Sequence, residues 1–145
     1  MNNGDFTVES LLPVMKEVLQ SGGEFRLYPR GTSMMPLLRQ GRDSVALVAA
    51  HAPFSRGDIL LYRRQNGQYV LHRLIDVEGD GSLVFCGDNQ STMEKGITPD
   101  AVLARVNALW RDDQRIELSS RRYRTYMLFA TKAPLRATRL WRRLY

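Results

Sequence analysis

The sequence is short of several things, and each shortage removes a class of explanation. It has one cysteine, Cys86, so no internal disulfide can form and no cysteine cluster is available for structural zinc. It has two histidines, His51 and His72, too few for a histidine-rich metal site. No stretch approaches the ~18 uninterrupted apolar residues of a membrane-spanning helix. The first residues, MNNGDFTVESLLPVMKEVL, lack the basic start and unbroken apolar core of a secretory leader. A cytoplasmic protein, soluble or peripheral on a membrane face, is the expectation. Lysine is missing between Lys16 and Lys95, and acidic residues are missing after Glu117.

What is present reads as an ordinary globular domain. The chain has 145 residues, 43% hydrophobic and 25% charged. Its net charge of +6 is uneven, because residues 118–145 hold eight Lys/Arg and no acid. Three segments are expected: an N-terminal helix (1–23), a central domain (24–120) and a basic amphipathic helical tail (121–145).

Leu11, Leu12, Met15, Val18 and Leu19 recur at helical spacing over 7–20. Thr7 can cap the start, and Ser21-Gly22-Gly23 ends the run. From Glu24 the period becomes two. Strands are expected over 24–28, 45–49, 58–64, 68–77, 82–86, 101–110 and 114–118, with one helical turn over 34–39. The fold class is therefore mainly β, a small coiled, barrel-like antiparallel sheet with helices at both ends. Asn66-Gly67 suggests a two-residue hairpin loop that sets Leu61 opposite His72 and Arg63 opposite Val70. For the next hairpin, a three-residue loop Gly79-Asp80-Gly81 sets Asp88 opposite His72, and a two-residue loop Asp80-Gly81 sets Asn89 there.

Three short segments carry candidate chemistry. Gly31-Thr32-Ser33-Met34-Met35-Pro36 offers a serine on a tight turn, where backbone N–H groups can face an oxyanion. The plainer reading is that Thr32 or Ser33 caps the turn. His72, in Val70-Leu71-His72-Arg73, suits general-base work near neutral pH, or is a hydrogen-bonded core histidine. Asp88, in Gly87-Asp88-Asn89, can orient an imidazole or simply form a turn. Asp43 and Asp58 are expected to satisfy turn N–H groups, and His51 has no assigned role.

Taken in order, GTSMMPLLRQGRDSVAL, RGDILLYRR, YVLHRLIDV and FCGDN resemble the successive boxes of the signal peptidase I-like serine peptidases, over about residues 25–106. The bacterial leader-peptidase type and the LexA-type repressors use a lysine base. His72-Arg73 is instead similar to the Ser-His type of the endoplasmic-reticulum and archaeal enzymes. The resemblance implies Ser33 as nucleophile and His72 as base. It assigns the third group to the acid six positions after the box aspartate, here Glu94, while hairpin geometry favours Asp88. Gly31 stands where such enzymes often carry an oxyanion-binding serine, which leaves that task to backbone N–H groups near Thr32 and Met34. The implied activity is cofactor-free and metal-free endoproteolysis of a leader or signal-like segment, bound as an extended strand.

Two other readings remain. One is a LexA-like peptidase that cleaves itself or a partner, although no Ala-Gly pair is present. The other is a non-enzymatic module that binds peptide or docks on membrane. In the tail, Tyr126, Ala130, Ala133, Ala137, Leu140, Trp141 and Leu144 recur at helical spacing beside Arg136, Arg139, Arg142 and Arg143, a pattern that suits an anionic lipid surface. A solvated helix on the domain is the alternative, and nucleic acid is a weaker fit.

Overall fold

The computed structural model describes residues 7–132, with side chains described to residue 128. Helix α1 (Val8–Gln20) starts where expected. The Thr7 hydroxyl accepts a hydrogen bond from Ser10 N at 3.1 Å. It ends where Gly22 takes φ +82°, a left-handed conformation that glycine adopts without steric cost. Of its apolar stripe, Met15 and Leu19 are fully buried.

Eight antiparallel strands follow: β1 (Phe25–Leu27), β2 (Asp43–Val48), β3 (Ile59–Arg63), β4 (Tyr69–Val77), β5 (Leu83–Cys86), β6 (Glu94–Ile97), β7 (Val102–Arg111) and β8 (Gln114–Glu117). They form one sheet in the order β1-β2-β7-β3-β4-β5-β6, with β8 paired to β7. The sheet is open, so the expected coiled antiparallel sheet is present without barrel closure. Helix α2 (Arg121–Lys132) closes the described part. Most of the expected tail, including Trp141 and the arginines at 136, 139, 142 and 143, lies outside the described residues.

Strand alternation builds two apolar layers. Ile59 and Leu61 of β3 face a larger cluster with Met15, Leu19, Leu27, Met34, Tyr123 and Tyr126. Leu60 and Tyr62 face a smaller one with Val70, Leu74, Leu83 and Phe85. Both helices thus pack on the same layer of the sheet, α1 through Met15 and Leu19 and α2 through its two tyrosines.

Two hairpins depart from expectation, the first in its loop and the second in its strand pairing, and both matter for the site. The β3–β4 connection is a three-residue loop, closed by Arg64 N donating to Gln68 O at 2.8 Å, with Gly67 at φ +87°. A loop of that length ends on a left-handed residue, which Gly67 supplies. The register therefore sets Leu60, not Leu61, opposite His72, and Tyr62 opposite Val70. A one-residue shift of register exchanges the faces of a strand. Here it moves Tyr62 onto the face of His72.

The β4–β5 hairpin has the three-residue loop, with Glu78 N donating to Ser82 O at 2.8 Å. An irregularity between Leu74 and Asp76 then displaces the pairing, so that Arg73 faces Cys86. Asp88 does not stand directly opposite His72, as a regular hairpin would have placed it. Strand β6 was not expected at all. Glu94-Lys95-Gly96-Ile97 has no apolar alternation, and it joins the sheet by pairing with β5.

Candidate active site

The site begins with the turn that carries Ser33. Gly31 has φ +84° and its N–H donates to Gln40 Oε1 at 2.8 Å. Met35 N donates to Thr32 O and Leu38 N to Met34 O, and among the described residues neither the Ser33 nor the Met34 N–H donates a hydrogen bond. Met34 is buried and ties the turn to the main core, while Thr32 is exposed and Ser33 half-buried.

Gly87-Asp88-Asn89 holds that turn, each residue by a different means. Asn89 N donates to Ser33 O at 2.9 Å, and Asn89 Nδ2 donates to Thr32 O at 3.1 Å. Gly87 allows the close approach: a Cβ there would stand 2.5 Å from Ser33 O and 2.8 Å from Gln90 Oε1. Asp88 anchors the box to the sheet. Its Oδ1 accepts from Arg73 Nε and its Oδ2 from Arg73 Nη2, both at 2.8 Å, and Tyr126 OH donates to Oδ2 at 2.6 Å.

Arg73 and Asp88 are fully buried, and Arg73 Nη1 also donates to Gly57 O and Tyr123 OH. Burial opposes the Arg73 charge, but the Asp88 carboxylate outweighs it and holds the guanidinium firmly protonated. The expected Asp88–imidazole hydrogen bond is therefore replaced by an ion pair with Arg73, whose side chain leaves β4 on the face opposite His72.

His72 is 4% exposed and lies among the smaller apolar layer. Its Nδ1 is 3.2 Å from the Tyr62 hydroxyl. That hydroxyl donates to Glu94 Oε2 at 3.1 Å. Arg64 grips the same carboxylate through Nε and through Nη2, the latter at 2.7 Å. Glu94 thus joins the histidine through a tyrosine. Burial pushes the His72 pKa down to about 4, and the Arg64 charge adds to this, against an upward pull from Glu94 and Asp88. Burial disfavours the Glu94 carboxylate, yet Arg64 and the Tyr62 hydroxyl more than offset it, so its pKa lies below the usual range.

Ser33 and His72 line one cavity of about 410 Å³, together with Tyr28, Gly31, Met34, Arg64 and Gln90. Among the described residues, no hydrogen bond joins Ser33 Oγ to the imidazole. The cavity runs beside the first half of β4, where residues 68–72 line it. Pairing of β4 with β5 begins only at Arg73, so the preceding edge of β4 is open. His72 stands at the end of that open edge.

Asp43 and Asp58 act as structural turn acceptors, as expected: Arg39 N donates to Asp43 Oδ2 and Ser55 N to Asp58 Oδ2. His51 is exposed and apart from the site. Tyr62 and Arg64 were missed in the sequence. Their signal was a register that the loop length, not the Asn-Gly pair alone, decides. Among the described residues no cluster of His, Cys, Asp and Glu could hold a metal ion, and no helix is long and apolar enough to cross a membrane. No protein-family model matches the chain, and no curated protein matches it significantly.

Proposed function

We propose that this protein is a serine endopeptidase, with Ser33 as nucleophile and His72 as general base, that cleaves a leader or signal-like segment from a peptide or protein. The observation that carries this reading is the shared cavity of Ser33 and His72 beside an open strand edge. The ordered resemblance of the four sequence boxes points the same way. The N–H groups of Ser33 and Met34 suit an oxyanion, and the burial that lowers the His72 pKa keeps the imidazole neutral at physiological pH.

In this mechanism an extended substrate adds along β4 at residues 69–71. Its carbonyl is presented to Ser33 in the cavity. Unliganded enzymes often hold catalytic groups at longer range than the substrate complex does, which accommodates the lack of a direct Ser33–His72 hydrogen bond. His72 takes the Ser33 proton as the Ser33 Oγ–carbonyl bond forms. It returns that proton to the leaving amine as the peptide bond breaks. Water then hydrolyses the ester by the same base. No metal or organic cofactor enters these steps.

The unjoined Ser33 and His72 also favour a second reading, a module that binds an extended peptide without cutting it. Digestion of a mixed peptide library, read by mass spectrometry, separates the two. Cleavage by the native protein and none by Ser33→Ala supports the peptidase. Equal patterns from both proteins would reject it. Peripheral attachment to anionic membrane through residues 121–145 belongs to the same proposal, and vesicle binding before and after removal of that segment tests it.

A further inference from the structure

We propose that Tyr62 is a positioning residue for the base: its hydroxyl, held by Glu94, keeps the proton of neutral His72 on Nδ1 and leaves Nε2 free to take the proton of Ser33. This rests on the peptidase reading for its purpose, though not for its geometry.

The argument is one of counting hydrogens. An ionised carboxylate accepts and cannot donate. Arg64 grips Glu94 through Nε and Nη2 and so holds it as an acceptor. The single Tyr62 hydroxyl proton is committed to Glu94 Oε2. Toward His72 the tyrosine oxygen can then only accept. The 3.2 Å contact with Nδ1 is satisfied when that nitrogen carries hydrogen. The opposite tautomer would set two lone pairs against each other in a buried place, which is costly.

The tyrosine has little freedom to answer differently. It is fully buried, its ring stacks on Phe85 at 4.1 Å between centroids, and it sits opposite Val70 in the sheet. Burial and the Glu94 charge raise its own pKa, so it remains protonated throughout. It transmits orientation, not a proton. The charged groups acting on His72 come from three places: Arg64 after β3, Asp88 after β5 and Glu94 on β6. Glu94 reaches the imidazole through the hydrogen-bonded Tyr62 hydroxyl, and Arg64 holds Glu94 in place. A second nitrogen poised toward the serine requires that link, because a histidine free to choose its tautomer offers the wrong nitrogen for part of the time.

The tautomer is readable without substrate. In a His51→Gln background His72 is the sole histidine, and long-range proton–nitrogen NMR correlations assign hydrogen to Nδ1 or Nε2. The expected result at neutral pH is hydrogen on Nδ1, changing to a mixture in Tyr62→Phe, which keeps the ring and its stacking. Glu94→Gln retains an acceptor for the hydroxyl, so the Nδ1 tautomer should persist there. Hydrogen on Nε2 in the parent, or an unchanged pattern in Tyr62→Phe, would overturn the proposal. With a cleaved peptide in hand, Tyr62→Phe should lower kcat at least about tenfold with KM little changed. An unaltered kcat would equally overturn it. If the tautomer behaves as stated while no peptide is cut, the positioning stands and the peptidase reading fails instead.

Discussion

His72 and Arg73 are neighbours on β4, yet each serves a charged network on its own face of the sheet, and the two networks differ in kind. The Arg73 network is closed. Arg73 and Asp88 are fully buried, bidentate and capped by Tyr123 and Tyr126, with no water-facing atom to relieve a lost partner. The His72 network is graded. It passes from a buried imidazole through Tyr62 to an Arg64–Glu94 pair whose side chains remain 29% and 26% exposed. A closed pair fixes position, because removal of either charge strands the other in an apolar place. A graded chain tunes a proton affinity, because its outer charges are partly screened and can change without unfolding the protein. The first network holds the turn of Ser33; the second sets the protonation of His72.

The comparison is broken most severely by charge removal on each side. Asp88→Asn should cost about 3–5 kcal/mol of stability, since it leaves a buried guanidinium uncompensated. Glu94→Gln should cost about 1 kcal/mol or less, as befits a partly exposed pair. Urea unfolding of the two variants measures both, and equal losses would erase the distinction. Next in size is Gly87→Ala. The added methyl has no room beside Ser33 O, so the turn must move, at about 1–3 kcal/mol. Loss of Ser33-dependent cleavage should exceed what that destabilisation explains. Unchanged activity and stability would show that the close approach has no consequence.

The smallest effect sharpens the tuning claim. Arg64 lowers the His72 pKa, so Arg64→Gln should raise the NMR titration midpoint from about 4 toward the ordinary 6.5, while Glu94→Gln should lower it. A midpoint that falls in Arg64→Gln would reverse the assigned roles. The sign also governs acid stability. Between pH 6.5 and about 4 the unfolded chain binds a proton at His72 that the folded chain refuses, so stability falls on acidification through that window. Arg64→Gln should narrow the window.

Legibility in the sequence followed the same division. Helix α1, from its Thr7 cap to Gly22, was readable because its period and both ends agree. The order of the serine, histidine and Gly-Asp-Asn boxes was readable because each is a short, local pattern. The partners of His72 were not, because they depend on register. Asn66-Gly67 fits a two-residue loop as well as it fits the end of a three-residue loop, and the choice decides whether Tyr62 shares a face with His72. The irregularity between Leu74 and Asp76 has no mark in the sequence of β4, yet it removes Asp88 from its expected place and leaves it to Arg73. Glu94 stood out only through the resemblance. Nothing in Glu94-Lys95-Gly96-Ile97 announces a strand, and backbone pairing to β5 is what carries the carboxylate to Tyr62.

The claim beneath all of this is that Ser33 is a nucleophile and that His72 makes it one. Intact-mass measurement after exposure to a peptidyl phosphonate, with the modified residue mapped by digestion, tests both halves together. A single adduct on Ser33, absent from Ser33→Ala and formed far more slowly in His72→Ala, is the expected result. Adduct formation at the same rate without His72, or on a residue other than Ser33, would contradict the account.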